Sequence, residues 1–369
     1  MKDLKIFYTG AGSPGTYGIF KAFRRGAVEE GRRLKIITAD INPDAYGFHF
    51  AEKGYVIPPG NDPDFIPKVL DICRKERPDL LVSVVDPELL PLSKSKNEFE
   101  SLGVKVVLSE PQAIETAQNK RKCYEIFGMG GIVPDFRIVK SSSGFENAVK
   151  ELGFPKHPVC FKPSFGYGMR GFRILKPSTN RGEILFGEKP DSTFADFQDI
   201  VGILRDYEKK LGLPEIIVME YLEGKEYTVD MLLERGKPLI TIPRLRKVTT
   251  RGISTVAVVE RNQEVIEKAE LVANRLGLDY NANIQFKYGK DGPKLIEVQP
   301  RLAGTTVACV GAGANLPYLG LKLALGESIK IPDVRWGTVM KRFWEEVYIN
   351  GNEMWFFGSE LSKKCQNNC

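Results

Sequence analysis

Seven residues in the second half of the chain have side chains suited to work together on a phosphate: Lys162, Glu220, Glu226, Gln285, Glu297, Gln299 and Arg301. Lys162 ends the apolar run PVCFKP and precedes SFGYGMRGF, where Gly166, Gly168 and Gly171 surround Arg170. A strand-end lysine beneath a glycine loop makes a workable phosphate clamp, because glycine lets backbone N–H groups approach an anion closely. The same residues also read as a glycine-rich hairpin with a solvated lysine. In VMEYLEGKEYTVDM a strand ends at Glu220, breaks at Gly224 and resumes with alternation through Tyr227, Val229 and Met231; a hairpin with a charged turn would look alike. In NIQFKYGKDGPKLIEVQPRLAG two strands flank a turn at Asp291-Gly292. Glu297 and Gln299 share one face of their strand at a spacing of two, and antiparallel pairing would bring Gln285 alongside. Oxygen-only donors suit magnesium, which keeps some waters and shares phosphate oxygens. Arg301 follows, able to neutralise a transferring phosphate. The competing reading is one solvated face of an edge hairpin.

The start of the chain points to another chemistry. LKIFYTGAGSPGTYG carries Gly10-x-Gly12-x-x-Gly15 after an apolar run, and Asp40 ends the next strand. That is the spacing of a dinucleotide-binding turn with its ribose-binding acid. An NAD-dependent oxidoreductase is therefore one alternative, although Pro14 removes a backbone donor and no hydride-transfer acid or base follows. Asp86 and Glu88, in VVDPELL, fall just after a strand, at the carboxyl edge where α/β sheets bind ligands. They suit an amine substrate, and Asp86 also reads as a helix N-cap.

The elements that must position these residues change character along the chain. Residues 4 to 108 alternate apolar strands (LKIFYT, LKIITAD, GYVIPP, DLLVSVVD, VKVVLS) with helices at 15 to 30, DFIPKVLDICRKERP and 88 to 101. This pattern predicts a doubly wound parallel sheet, a Rossmann-like α/β domain closing near residue 111. Two helices near 111 to 117 and 119 to 128 lead into DFRIV, a helix at 144 to 152, PVCFKP and FRIL. Residues 176 to 212 read as a polar insertion with one helix at 195 to 211. Most of the remainder is strand around one long helix at 262 to 276, which predicts an α+β domain. DVRWGTVMKRFWEEVYINGNEMWFFG reads as a closing strand pair before a frayed tail.

Composition narrows the class. The 369 residues are 42% apolar and 27% charged, which fits a globular protein of more than one domain and excludes a collagen-like or coiled-coil chain. No window approaches a membrane span, and the start enters a strand without a signal-peptide cleavage pattern, so a cytoplasmic protein is expected. Six scattered cysteines fit reduced thiols, and Cys365 and Cys369 form only a weak metal-knuckle signal. Two isolated histidines, His49 and His157, exclude a zinc site or a Ser-His-Asp engine. The net charge of +6 is spread along the chain, which suits ATP or an anionic small substrate better than a nucleic-acid groove.

The order of these motifs resembles the ATP-grasp superfamily, specifically enzymes similar to the carbamoyl-phosphate synthase large chain, over roughly residues 1 to 330. The resemblance implies a pre-ATP-grasp domain at 1–111, an ATP-grasp domain at 112–330 with a lid at about 130–222, and a C-terminal extension at 331–369. It implies that Lys120, in QNKRKCYEIF, and Lys162 contact ATP phosphates under the loop carrying Gly166 and Gly168. Glu220, Tyr221 and Leu222 would form the adenine hinge, and Glu226 would meet the ribose. Glu297 would bridge two Mg2+ ions (Mn2+ as the substitute cation), with Gln285 on one and Gln299 on the other. Arg301 would steady the phosphoryl group, and Arg246 and Arg251 would face the acceptor's anionic end. Gln299 departs from the asparagine usual in that family, keeping the amide oxygen on a longer arm.

The implied activity is a ligase that activates a carboxylate as an acyl-phosphate and joins it to an amine. A single such domain, with no amidotransferase, favours a stand-alone enzyme acting on small molecules, without nucleic-acid or membrane partners, and a homodimer is an implied assembly. A non-catalytic ATP-binding module and a biotin-carboxylase-like activity are the alternatives alongside the oxidoreductase. The glycine loop, through Gly12 and Ser13, would then receive the acceptor substrate at a helix N-terminus.

Overall fold

The computed structural model describes residues 3–165, 170–177, 182, 186, 193–250, 252–351, 353–356 and 363–364. The first part contains β1 (Leu4–Thr9), α1 (Thr16–Glu29), β2 (Leu34–Asp40), β3 (Lys53–Val56), α2 (Phe65–Glu76), β4 (Leu80–Ser83), α3 (Asp86–Lys94), α4 (Lys96–Ser101) and β5 (Lys105–Val106). Its strands form a parallel five-stranded sheet in the order β3-β2-β1-β4-β5. Both faces are covered, which is why β1 and β4 read as continuous apolar runs. The 88 to 101 helix is two, because the chain leaves helical geometry at Ser95 (φ −94°, ψ 12°) between α3 and α4.

The second part begins with α5 (Pro111–Gln118) and α6 (Lys120–Phe127), capped by the Asn119 side chain on the Lys122 amide. Next come β6 (Phe136–Val139), α7 (Ser142–Glu151), β7 (Val159–Pro163), β8 (Arg173–Leu175), β9 (Phe194–Ala195), α8 (Phe197–Leu211) and β10 (Ile216–Glu220). A five-stranded sheet, β6-β10-β7-β8-β9, results. The chain then builds β11 (Glu226–Glu234), β12 (Lys237–Thr250), β13 (Ile253–Val259), α9 (Gln263–Leu276), β14 (Tyr280–Gly289) and β15 (Gly292–Gln299). After α10 (Val307–Gly311) and α11 (Leu316–Ala324), β16 (Val339–Lys341) joins β13 and completes a six-stranded antiparallel sheet, β15-β14-β11-β12-β13-β16. The residues after 330 thus contribute to the central sheet. β17 (Val347–Asn350), β18 (Glu353–Phe356) and β19 (Lys363–Lys364) form a small sheet of their own.

Strand alternation gives the six-stranded sheet two unlike faces. Tyr227, Val229, Met231, Ala282, Ile284, Phe286 and Leu295 point to one side and bury against Val265, Ala269, Val272 and Ala273 of α9. Thr228, Asp230, Arg244, Asn283, Gln285, Glu297 and Gln299 share the other side, and in β15 a bulge between Leu295 and Glu297 turns these two residues to opposite faces despite their spacing of two. Cross-strand pairing sets Gln285 opposite Glu297 and Asn283 opposite Gln299. The predicted juxtaposition of the three oxygen donors follows from this register.

The first domain docks firmly. Leu302, Tyr318 and Leu321 join the core built by Tyr8, Ile19, Phe20 and Phe23. Arg32 pairs with Glu327 at 2.7 Å, and Asn315 donates to the Ala22 carbonyl at 2.7 Å. The glycine loop takes part: a Cβ added to Gly15, itself at φ +100°, would lie 2.2 Å from the Gly304 carbonyl oxygen, and one added to Gly304 would lie 2.2 Å from the Pro14 oxygen. The third glycine of the GxGxxG spacing thus serves a backbone-to-backbone approach between domains. Gly304→Ala should lower stability in urea unfolding by about 1–3 kcal/mol. Gly202→Ala, in the exposed interior of α8 with nothing nearby, should be neutral or gain roughly 0.5–1 kcal/mol. Equal stability of both variants would contradict this packing.

Candidate functional site

A cleft of about 760 Å³ lies where the five-stranded sheet, the six-stranded sheet and the first domain meet. Cys160, Lys162, Phe172 and Ile174 line it from β7 to β8, and Glu220, Tyr221 and Leu222 line it at the end of β10. The polar sheet face supplies Glu226, Arg246, Asn283, Gln285, Glu297 and Gln299, and the first domain supplies Ser13, Pro14, Val85 and Asp86. Sequence positions as far apart as Ser13 and Arg301 therefore share one cavity. Gly166, Gly168 and Arg251 lie outside the described residues, as do Cys365 and Cys369.

Charge is concentrated around Glu297. Lys120, at the start of α6, places its Nζ 3.3 Å from Glu297 Oε1. Gln299 Nε2 donates to Glu297 Oε2 at 3.1 Å. Lys162 is buried, and its Nζ donates to the Ile296 carbonyl at 3.0 Å and to the Tyr124 hydroxyl at 3.3 Å. Burial pulls the Lys162 ammonium down to about 8; Glu297 opposes that shift and Lys120 adds to it. Tyr124 donates its own proton to Ile296 O at 3.0 Å and so supports the lysine from below. Its position four residues after Lys120, on the same face of one helix, was the available sequence signal.

The other site residues are placed as follows. The Glu220 carboxylate accepts from the Asp135 amide at 3.1 Å, and the Lys287 ammonium sits 4.6 Å from the centre of the Tyr221 ring. Leu222 is buried at the cleft wall. Glu226 holds an ion pair with Arg246, which also donates to the Gly252 carbonyl at 2.6 Å, to Ser254 Oγ at 3.1 Å and to Gln285 Oε1 at 3.4 Å. Arg301 grips Asp86 in a two-point ion pair at 2.9 and 3.0 Å. Asp86 opens α3 without serving as its side-chain cap. Glu88 does not line the cleft: it is buried behind it, accepting from Thr9 Oγ1 and from Ser83 Oγ at 2.8 Å, and burial pushes its carboxyl up to about 7.

The glycine loop has little left to offer a pyrophosphate. The Gly10 and Ala11 amides bond to the Ala39 carbonyl, Ser13 to Gly10 and Thr16 to Ser13. Asp40, the would-be ribose acid, accepts from the Gly12 amide at 2.7 Å. The amides of Gly10, Ala11, Gly12, Ser13 and Thr16 are committed to acceptors in the turn and in β2, and nothing in the cleft favours the oxidoreductase alternative.

Sequence reasoning passed over Asn283. Its Oδ1 is fully buried without a hydrogen-bond partner among the described residues, while its amide nitrogen reaches Asp230 Oδ1 at 3.2 Å. The signal was the alternation of amides in YNANIQF, which puts Asn281, Asn283 and Gln285 on one strand face.

Residues 212–344 match the family model described as ATP-grasp in the biosynthetic pathway with Ter operon, and residues 13–107 match the PylC-like N-terminal domain. An uncharacterized protein of Sinorhizobium fredii is 25% identical over 236 residues, 60% of this chain and 45% of its own. A carbamoyl phosphate synthase large chain of Gemmatimonas aurantiaca is 26% identical over 322 residues, 82% of this chain and 26% of its own. The chain thus spans less than half the length of these curated relatives. Among solved structures, an ADP complex of N5-carboxyaminoimidazole ribonucleotide synthetase superposes with TM-score 0.64 at 15% identity, covering 90% of this chain and 80% of that one. The fold is an ATP-grasp architecture: a mixed five-stranded sheet and an antiparallel six-stranded sheet close on a cleft behind a parallel-sheet domain. The chain contains an ATP-grasp domain preceded by a PylC-like N-terminal domain, and carbamoyl phosphate synthase large chains are among its homologues. Among the described residues no helix is long and apolar enough to cross a membrane.

Lys162 gives the cleft a pH signature. A nucleotide phosphate favours the charged amine, so complex formation takes up a proton once the free group has lost it near pH 8. ADP affinity measured by calorimetry should fall as pH rises through 8 to 9, and Lys162→Gln should flatten that dependence. A parent profile as flat as the variant's would contradict the assignment.

Proposed function

We propose that the chain is an ATP-dependent ligase that activates a small-molecule carboxylate as an acyl-phosphate and joins it to an amine, releasing ADP and phosphate. The observation that carries this is the Glu297 carboxylate with two lysines, Lys120 and Lys162, directed at its surroundings. In the first step a carboxylate oxygen of the acid attacks the γ-phosphorus, and the bond to the bridging oxygen breaks as ADP leaves. In the second, the amine nitrogen attacks the acyl carbon, the acyl C–O bond breaks, phosphate departs and the nitrogen loses a proton. Positioning and charge carry such a reaction, with no protein nucleophile needed.

Lys120 and Lys162 are the phosphate ligands, and Glu220, Tyr221 and Leu222 bracket the base. Glu226 already carries Arg246, which leaves its other oxygen for a ribose hydroxyl. Arg246 and Arg301 face the acid and the transferring group, and Ser13 borders the acceptor's end of the cleft, while Gly12 beside it does not line the cleft and has its amide on Asp40.

The donor set fits Mg2+: the Glu297 carboxylate and the amide oxygens of Gln285 and Gln299 stand on paired strands, and Asn283 Oδ1 lies buried without a partner beside Gln299. Among the described residues no group of three or more His, Cys, Asp or Glu could hold a metal. ATP phosphate oxygens would therefore supply the remaining negative ligands, and Mn2+ suits the same oxygens. Bound there, the cation would neutralise charge developing on the transferred phosphate. The longer arm of Gln299 keeps the oxygen donor and lets Glu297 hold the amide meanwhile.

The test is a phosphate-release screen with ATP and Mg2+ over amino acids, amines, bicarbonate and sugar acids. A productive acid–amine pair should release phosphate stoichiometrically with the ligated product. Glu297→Ala should lose on the order of 10²-fold or more of that rate. Phosphate release by Glu297→Ala as fast as by the parent would overturn the metal assignment. Tight Mg-ATP binding with no turnover across the whole screen would favour a non-catalytic module.

A further inference from the structure

The contact between Arg301 and Asp86 joins residues 215 positions apart, one in each domain. Arg301 Nε donates to Asp86 Oδ1 at 2.9 Å, Nη2 to Asp86 Oδ2 at 3.0 Å, and Nη1 to the Leu302 carbonyl at 3.1 Å. A guanidinium has five N–H donors in a fixed plane. The carboxylate occupies the side-on pair and the carbonyl one further N–H, which leaves the end-on fork, one N–H from each Nη. Both side chains are largely buried, at 13% and 18% exposure, and both line the cleft. Two-point attachment fixes rotation about the last side-chain bonds, which a single hydrogen bond would not.

Asp86 is itself well anchored. It opens α3, where the helix N-terminus favours a negative side chain. Its carbonyl accepts from Gln118 Nε2 at 2.6 Å, tying it to the helix that precedes Lys120. The Gly15–Gly304 approach holds the loop after Arg301 against the same domain.

We propose that Asp86 is a positioning residue for Arg301: it holds the guanidinium plane so that the end-on fork faces the transferring phosphoryl or carboxylate oxygens. The first domain then contributes to turnover by orienting an arginine of the second. An arginine bound on its side edge retains its charge and its end-on donors, so Asp86 directs Arg301 without consuming it. This differs from Asp86 binding an amine substrate, since both carboxylate oxygens are engaged by Arg301.

The kinetic arm of the test rests on the ligase reading; a spectroscopic arm does not. With the substrate pair from the phosphate-release screen, Asp86→Ala should lower kcat about 10- to 100-fold, leaving KM for ATP and for the amine within about twofold. Asp86→Glu should recover part of the loss. In an Arg301→Ala background, Asp86→Ala should cost nothing further. A raised KM for the amine with kcat unchanged, or losses that multiply in the double variant, would overturn the proposal. Independently of turnover, the Arg301 Nε–H resonance of 15N-labelled protein, identified by its disappearance in Arg301→Lys, should be sharp in the parent and broadened in Asp86→Ala. A sharp, unshifted signal in Asp86→Ala would overturn it even if no substrate were found. A broadened signal beside an enzyme that never releases phosphate would support the pairing while refuting the ligase function.

Discussion

Lys120 and Lys162 come from a helix and a strand of different layers, yet both meet the electrostatic field of one carboxylate, Glu297. Neither ammonium could be held so deeply without an anion close by, because desolvation penalises the charged form. The depressed value of Lys162 records that penalty incompletely offset. A site balanced in this way gains when further negative charge arrives, and a polyphosphate with its cation supplies both signs at once. Around the cleft, Lys120, Lys162, Arg170, Arg246, Lys287 and Arg301 outnumber the carboxylates of Asp86, Glu220, Glu226 and Glu297.

That arrangement depends on the six-stranded sheet keeping one dry face and one polar face. Phe286 and Ile284 must point into the core against α9, so Gln285 has no choice but to face the cleft, and the pairing with β15 delivers Glu297 opposite it. A slip of one residue would bury Glu297 and expose Leu295. Folding and function are bound to the same register, and the two-residue turn at Lys290-Asp291, one residue before the expected Asp291-Gly292, helps set it.

Much of this was legible in the chain because it rests on short-range periodicity. Alternation placed Glu297 and Gln299 on one face, antiparallel pairing brought Gln285 alongside, and α1, α2, α8 and α9 were read to within a residue or two of their ends. What escaped depends on the third dimension. The short helices α10 and α11 lie in TTVACVGAGANLPYLGLKLALG, where small residues and glycines blur helical periodicity. β13 follows β12 too closely for its start to stand out in the sequence, and β16 belongs to the central sheet only because it pairs with β13. Asp86 looked like a cap or a substrate ligand since nothing local announces a partner 215 residues away. The GxGxxG spacing misled for a related reason: its glycines are needed, but for the turn and for Gly304.

The central claim is the chemistry of the first step, and isotope transfer tests it most directly. The acid identified as a substrate, labelled with 18O in its carboxylate, is incubated with ATP, magnesium, the amine and the protein, and the released phosphate is examined by mass spectrometry. An acyl-phosphate route predicts one 18O atom in each phosphate formed, in step with ligated product. Product formation with unlabelled phosphate would contradict the account, because the phosphate oxygen would then have come from water rather than from the activated carboxylate.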